Sequence, residues 1–364
     1  MDDDHLSREV VIVLNPGSTS TKTALYDRRG KVWDKTLRHT ARELEGYDPV
    51  TQQLGFRYDL IRPVILQEIA SRGLTVAGVV GRGGIVRPVA GGTYRVSEAF
   101  LEDARSCRYG NHASNLGTLL ADRLRRELGL EECYTVDPVS VDNMWEKARL
   151  SGHPDIVRVC RGHPLNVRRT ARRIAEELGT TLEHSRFVVA HLGGGISITA
   201  VEDGKIRDVN DALLGMGPFS PNRAGALPLR GVMKMCYAKP EKEVTRILSR
   251  ESGLQAYLGT DDLREVLRRI EEGEEKARLV YEAFVYQIAK EIGACHAAMR
   301  CDVDGIIITG GIALAERFVE DLKKYIGRLA PFFVVPGENE MEALAEGAFR
   351  VIDGKEKAKE YPEG

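Results

Sequence analysis

Three short segments rich in small residues each close an apolar, β-branched run. NPGSTSTKT (Asn15–Thr23) follows Val10–Leu14, GGGIS follows FVVAHL (Phe187–Leu192), and GGI follows GIIIT (Gly305–Thr309). Small residues let backbone N–H groups approach an anion, and Ser18, Thr19, Ser20 and Thr21 add hydroxyl donors. Three consecutive glycines, Gly193–Gly195, cost too much backbone entropy to be neutral filler. One such turn could be a tight structural hairpin. Three on separate strand ends fit a nucleotide whose γ-phosphate, other phosphates and adenosine are each met separately. Cationic and imidazole groups sit in similar company: Arg82 in GRGG, His112 in GNHASN, His163 in RGHP, His191 at the mouth of the glycine turn, and Arg223 in SPNRAGALP. A guanidinium can hold a carboxylate or phosphate bidentately. NPGSTSTKT has the outline of a Walker A loop. In that register, however, Pro16 and Thr21 replace the two glycines, and TKTALYD alternates like a strand instead of opening a helix.

The elements that must position these groups read as α/β, with β-branched runs alternating with helical patterns. Val10–Lys35 and Phe187–Asp211 share one plan: strand, small polar turn, strand, acidic-Gly-Lys turn, strand. Such a repeat, once per half, marks a duplicated domain, although two hairpins can also agree by common turn chemistry. Helical periodicity covers Asp59–Arg72, Ala113–Leu128, Asn166–Leu178, Asp261–Glu272, Glu274–Met299, Ile312–Arg328 and Met341–Ile352. SGHPD (Ser151–Asp155) interrupts the pattern and is the expected boundary. The expected domains are residues 1–153 plus 341–364, and 154–340. The polar end, Asp353–Gly364, reads as frayed and expendable to the core.

Bulk properties exclude several classes. A chain of 364 residues exceeds one ordinary core, and 43% hydrophobic with 29% charged residues is usual for a globular enzyme. A net charge of −2 offers no basic field for nucleic acid. The acidic opening MDDDHLSREV lacks the basic-then-apolar plan of a signal peptide, and no apolar run reaches membrane-spanning length, so a cytoplasmic protein without a membrane partner is expected. Cys107, Cys133, Cys160, Cys236, Cys295 and Cys301 form no C-x-x-C pair, which reads as reduced thiols and not a disulfide or zinc framework.

NPGSTSTK, GRGG, GNHASNLG, TVDP (Thr135–Pro138), CRGHPLN (Cys160–Asn166), AHLGGGIS, PFSPNRAGALP (Pro218–Pro228) and ITGGI occur in the order found in acetate and butyrate kinases. Over nearly its whole length the chain resembles that acetokinase family, and its butyrate branch more than its acetate branch. The resemblance implies two ribonuclease-H-like α/β domains of the actin and sugar-kinase (ASKHA) type, facing an ATP-binding cleft. It implies reversible, in-line phosphorylation of butyrate or a short branched-chain acid by ATP with Mg²⁺. Acetate or propionate kinase is the alternative within the class, and an actin- or heat-shock-like nucleotide switch the alternative outside it. The expected partners are a short-chain carboxylate and further copies of the chain, as a dimer or larger homo-oligomer.

Carried over motif by motif, the resemblance makes Arg82 the holder of the acid's carboxylate and Arg223 the cation on the transferring phosphoryl group. His163 would donate to that group, and His112 would line the same cleft. Asp137 and Glu340 would position Mg²⁺. Asn15 and Ser18 would lie near the γ-phosphate, His191, Gly193 and Gly194 at the second phosphate turn, and Gly310, Gly311 and Ile312 along the adenosine. His5, His39, His153, His184 and His296 lie outside the motifs and read as structural or exposed. Ile85, Val86 and Val89, just after Arg82, either line a pocket of about four carbons or pack inside the first domain. The second histidine of the acetate branch is missing, with Asn166 or Val167 near its place.

Overall fold

The structure is a computed structural model describing Glu9–Pro362; the acidic opening, with His5, lies outside the described residues. The chain forms two compact units, residues 1–142 with 339–364, and residues 143–338.

In the first unit, β1 (Glu9–Pro16), β2 (Ser20–Asp27) and β3 (Gly30–Arg38) form an antiparallel meander. β4 (Thr75–Gly81) adds parallel to β1. β5 (Thr93–Arg95) and β6 (Tyr134–Val136) complete a sheet in the order β3-β2-β1-β4-β6-β5. Val10, Val11, Ile12, Val13 and Leu14 of β1 are all fully buried, as a central strand covered on both faces requires. Helix Leu54–Arg72 and helix Asn115–Glu127 supply Tyr58, Ile61, Ile65, Leu116 and Leu120 to the same core. The last helix, Glu340–Ile352, lies so close to β6 that a Cβ on Gly347 would meet Val136 at 2.4 Å.

The second unit repeats this plan. β7 (Arg186–Leu192), β8 (Ile196–Glu202) and β9 (Lys205–Val209) form the meander; β10 (Gly305–Gly310) and β11 (Phe332–Pro336) add in parallel, giving β11-β10-β7-β8-β9. Helix Glu275–Ala298 packs Phe284, Ile288 and Ile292 into its core. The two meanders also share an irregularity. In each, the hairpin closes (Asp27 opposite Gly30; Glu202 opposite Lys205), one further pair follows, and then the third strand carries an extra residue, Val32 or Arg207. Common turn chemistry alone would not place the same bulge on the same rung.

Several expectations need correction. SGHPD lies inside the second unit, because its flanks are tied to β9: the Trp145 N–H donates to the Arg207 carbonyl (3.0 Å), and Arg158 to Asp208 (2.7 Å) and the Val209 carbonyl (3.1 Å). The polar end is not frayed over its described residues, which run to Pro362. Tyr361 is 3% exposed, its ring packs on Phe100 and its hydroxyl donates to the buried Asp103 at 2.7 Å. Lys359 joins the edge at Thr93 and Arg95 through backbone bonds of 2.8 and 3.0 Å. Val86 and Val89 are core residues of the first unit. Ile312–Arg328 is interrupted: a 3₁₀ turn covers Gly311–Leu314 before helix Glu316–Ile326. Among the described residues no helix is long and apolar enough to cross a membrane.

Candidate active site

In the first unit, β1 delivers Asn15 and the turn that follows, and β4 delivers Arg82. A turn into an antiparallel strand follows β1, so the Walker outline has no structural counterpart. The glycines around Arg82 serve close packing. A Cβ on Gly83 would meet Pro138 at 2.4 Å, and one on Gly84 would meet Asn115 at 2.4 Å. Asn115, fully buried, accepts from the Ile85 N–H (2.8 Å) and donates to the Gly110 carbonyl (2.8 Å), joining the GRGG and GNHASN segments.

Arg82 is 6% exposed. Its Nη2 lies 3.4 Å from Glu340 Oε1, while its buried Nη1 has no hydrogen-bond partner among the described residues. The other Glu340 oxygen accepts from Asn15 Nδ2 at 2.8 Å, so Asn15, Arg82 and Glu340 form one cluster. Ser18 is exposed on the turn beyond Asn15. His112 Nδ1 accepts the Ser114 N–H at 3.2 Å and lies 2.8 Å from its hydroxyl. The neutral ring therefore carries its proton on Nε2. Desolvation, and then the nearby Arg82 cation, hold its pKa below the usual histidine value. Asp137 sits at φ +39° just past β6, 5% exposed, and accepts the Gly92 N–H at 2.7 Å. A left-handed Asp is uncommon and fits a residue held by its surroundings.

In the second unit, β7 carries His191 into the glycine turn, closed by Gly193 N–H to the Gly195 carbonyl at 3.1 Å. His163, just before Pro164 at the start of helix Pro164–Glu177, stacks on His191 with centroids 4.2 Å apart; its Nδ1 lies 2.7 Å from Ser197 Oγ. His191 Nε2 is 3.9 Å from a Glu338 oxygen. The Arg223 guanidinium lies against Gly195, where a Cβ would come within 2.2 Å of Nη1, and donates to the Ala212 carbonyl. Burial lowers its pKa, with Asp211 acting in the opposite sense. Ser220 braces this loop, donating to the Gly194 carbonyl at 2.6 Å. Asn210, absent from the expected set, pins β8 through the Ile198 N–H (2.7 Å) and the Ile196 carbonyl (2.9 Å). Gly310 has φ +94° and abuts Leu192, where any Cβ would lie 2.2 Å from the carbonyl oxygen. Gly311 opens the 3₁₀ turn, and the Ile312 side chain belongs to the core, leaving its backbone for any ligand.

The first unit thus gathers Asn15, Arg82 and Glu340, with His112 close enough to Arg82 to feel its charge. The second gathers His163, His191, Gly193, Gly194 and Arg223. Among the described residues no three His, Cys, Asp or Glu side chains converge as a metal cage. Mg²⁺ commonly takes one or two carboxylates and completes its shell with water and substrate phosphates. Asp137 and Glu340 are oxygen donors of that kind, and both fit a partial site.

A model described as the acetokinase family matches residues 157–335. A Listeria monocytogenes protein named probable butyrate kinase is 44% identical over 356 residues, covering 96% of this chain and 99% of its own. Butyrate kinase 1 of Clostridium acetobutylicum is 41% identical over 353 residues, with the same coverages. Among solved structures, Porphyromonas gingivalis acetate kinase superposes with a TM-score of 0.75 at 19% identity, covering 94% of this chain and 99% of that one. A Francisella tularensis propionate kinase gives 0.72 at 19%, covering 93% and 98%. The class is a kinase of the two-domain actin and sugar-kinase fold. The chain belongs to the acetokinase family.

Proposed function

We propose that this protein transfers the γ-phosphoryl group of ATP, with Mg²⁺, to the carboxylate of butyrate or a short branched-chain acid, reversibly giving ADP and an acyl phosphate. The observation that carries the reading is Arg82 past the end of β4, a nearly buried guanidinium with Nη1 uncommitted, in one cluster with the Asn15 amide of β1 and the Glu340 carboxylate that opens the last helix. The full-length similarity to proteins named butyrate kinase supports the acyl preference.

Both substrates are anions, and the loose transition state leaves charge on the equatorial oxygens, so cations and oriented donors matter most. Arg82 holds the acid's carboxylate. One of its oxygens attacks the γ-phosphorus as the bond to the β–γ bridging oxygen breaks and ADP leaves. The acid is ionised at neutral pH, so no general base is required. Arg223 and His163 stabilise the transferring phosphoryl group, and His112 donates from Nε2. Asn15 and Ser18 serve the γ-phosphate, His191, Gly193 and Gly194 the phosphate chain, and Gly310, Gly311 and the Ile312 backbone the adenosine. Asp137 and Glu340 would hold Mg²⁺, which when bound would supply positive charge against the phosphates. The reading includes a cytoplasmic enzyme that self-associates. An ADP-forming assay against acids of two to five carbons tests it. Butyrate or isobutyrate should give the highest kcat/KM, and acetate matching them would return the protein to the acetate or propionate specificity.

A further inference from the structure

Behind the NPGST turn lies a guanidinium that no sequence motif announces. Arg57, on helix Leu54–Arg72, is completely buried. Its Nη1 donates to the carbonyls of Gly17 (2.8 Å) and Ser20 (3.0 Å) and to Thr21 Oγ1 (3.2 Å); Nη2 donates to the Ser18 carbonyl (3.3 Å). Nε and Nη2 both reach Gln53 Oε1, at 3.0 and 2.7 Å. The remaining turn carbonyl, Thr19, accepts from the His39 N–H at 2.8 Å, and the His39 ring pairs with Thr21 Oγ1 at 2.9 Å. Four successive carbonyls are therefore held by protein donors. The Gly17 N–H closes on Ser20, whereas the N–H groups of Ser18 and Thr19 make no backbone hydrogen bond among the described residues, and both residues are exposed. Consecutive amides left outward in this way form an anion-binding concavity.

The charge is as telling as the geometry. No carboxylate is among the partners of Arg57, and burial alone lowers its pKa to about 10. A buried cation without a counter-ion is costly, and carbonyl dipoles offset that cost in part. We propose that Arg57 is the positioning residue of this turn. It holds the Ser18 and Thr19 amides outward, and its buried charge is balanced by the terminal phosphate of a bound nucleoside triphosphate. This rests on the kinase reading above and assigns triphosphate recognition partly to a side chain that touches no substrate.

Calorimetric titration of a non-hydrolysable ATP analogue and of ADP into wild type, Arg57→Met and Arg57→Lys tests the proposal. Arg57→Met should bind the analogue about tenfold more weakly, with ADP affinity and butyrate KM little changed. Arg57→Lys keeps the charge but cannot span the carbonyls, so it should fall between wild type and Met. If the Met variant does not fold, the Lys variant decides by its analogue-to-ADP affinity ratio. A wild-type ratio in a folded variant would overturn the proposal, as would equal weakening of both nucleotides, which a merely structural arginine would cause. Wild type that phosphorylates no acid, yet loses analogue affinity with Arg57, would sink the kinase reading and leave Arg57 its role.

Discussion

Gly81 and Gly117 meet backbone to backbone: a Cβ on Gly81 would stand 2.2 Å from the Gly117 carbonyl oxygen, and one on Gly117 would stand 2.2 Å from that of Arg82. The start of helix Asn115–Glu127 thus bears directly on the strand end that aims Arg82. Gly117→Ala should destabilise by about 1–3 kcal/mol through overpacking and raise the acid's KM in the folded fraction. Urea denaturation and acid kinetics together check this; an unchanged midpoint and KM would contradict it.

Arg82→Ala should raise the KM for the acid and reduce kcat/KM by about 2–5 kcal/mol of lost stabilisation, while nucleotide binding survives. Arg82→Lys should rescue poorly, because an ammonium lacks the fork that reaches Glu340 and a carboxylate together. Normal acid kinetics in the alanine variant would remove the residue from the acid site.

Arg223→Ala and His163→Ala should each lower kcat by about 2.7–4 kcal/mol in barrier with little change in either KM. Ser197→Ala should reproduce a fraction of the His163 loss, since that hydroxyl is 2.7 Å from the ring. A large KM change at normal kcat would mean ground-state binding.

Acidification should destabilise the first unit through His39. Burial, and then the Arg57 cation, lower the His39 pKa below the ordinary 6.5. Below 6.5 the unfolded chain binds the proton that the folded one resists, so stability falls as pH drops from 6.5 to the folded pKa and is fully present above 6.5. Melting curves from about pH 7.5 to 5.5 should show this slope, and His39→Gln should flatten it. An equal slope in the variant would place the effect elsewhere.

Tyr361→Phe should cost about 1 kcal/mol by removing the donor to Asp103, and Tyr361→Ala about 3–5 kcal/mol by also emptying the contact with Phe100. Equilibrium denaturation would detect both. Two variants as stable as wild type would restore the picture of a dispensable tail.

The meanders were legible because β-branched runs and Gly-bearing turns state their conformation locally, and Asn15, Arg82, His163 and Arg223 stand in segments of distinctive composition. Arg57 was not, since one arginine in FRYDLIRP has the sequence look of a solvated helix charge. Tyr361 was hidden for the opposite reason: one aromatic in a polar run outweighs its neighbours once it finds a pocket. Helix Leu229–Ala238 was missed although Leu229, Val232, Met233, Cys236 and Tyr237 stand at helical spacing; none of them is buried. Ile85, Val86 and Val89 show that adjacency in sequence does not settle facing. Val86 and Val89 went to the core, while Ile85 stays half-buried outside it.

The matched bulges at Val32 and Arg207 bear on ancestry. An extra residue on the same rung of two meanders is hard to acquire twice, because each insertion must preserve the facing of every residue beyond it. Doubling of a single half that already carried the irregularity would account for both copies at once. Counted back from the bulge, Asn15 opposite Lys22 and His191 opposite Ser197 stand on the same rung. The same position at the mouth of a turn is thus an amide in one meander and an imidazole in the other.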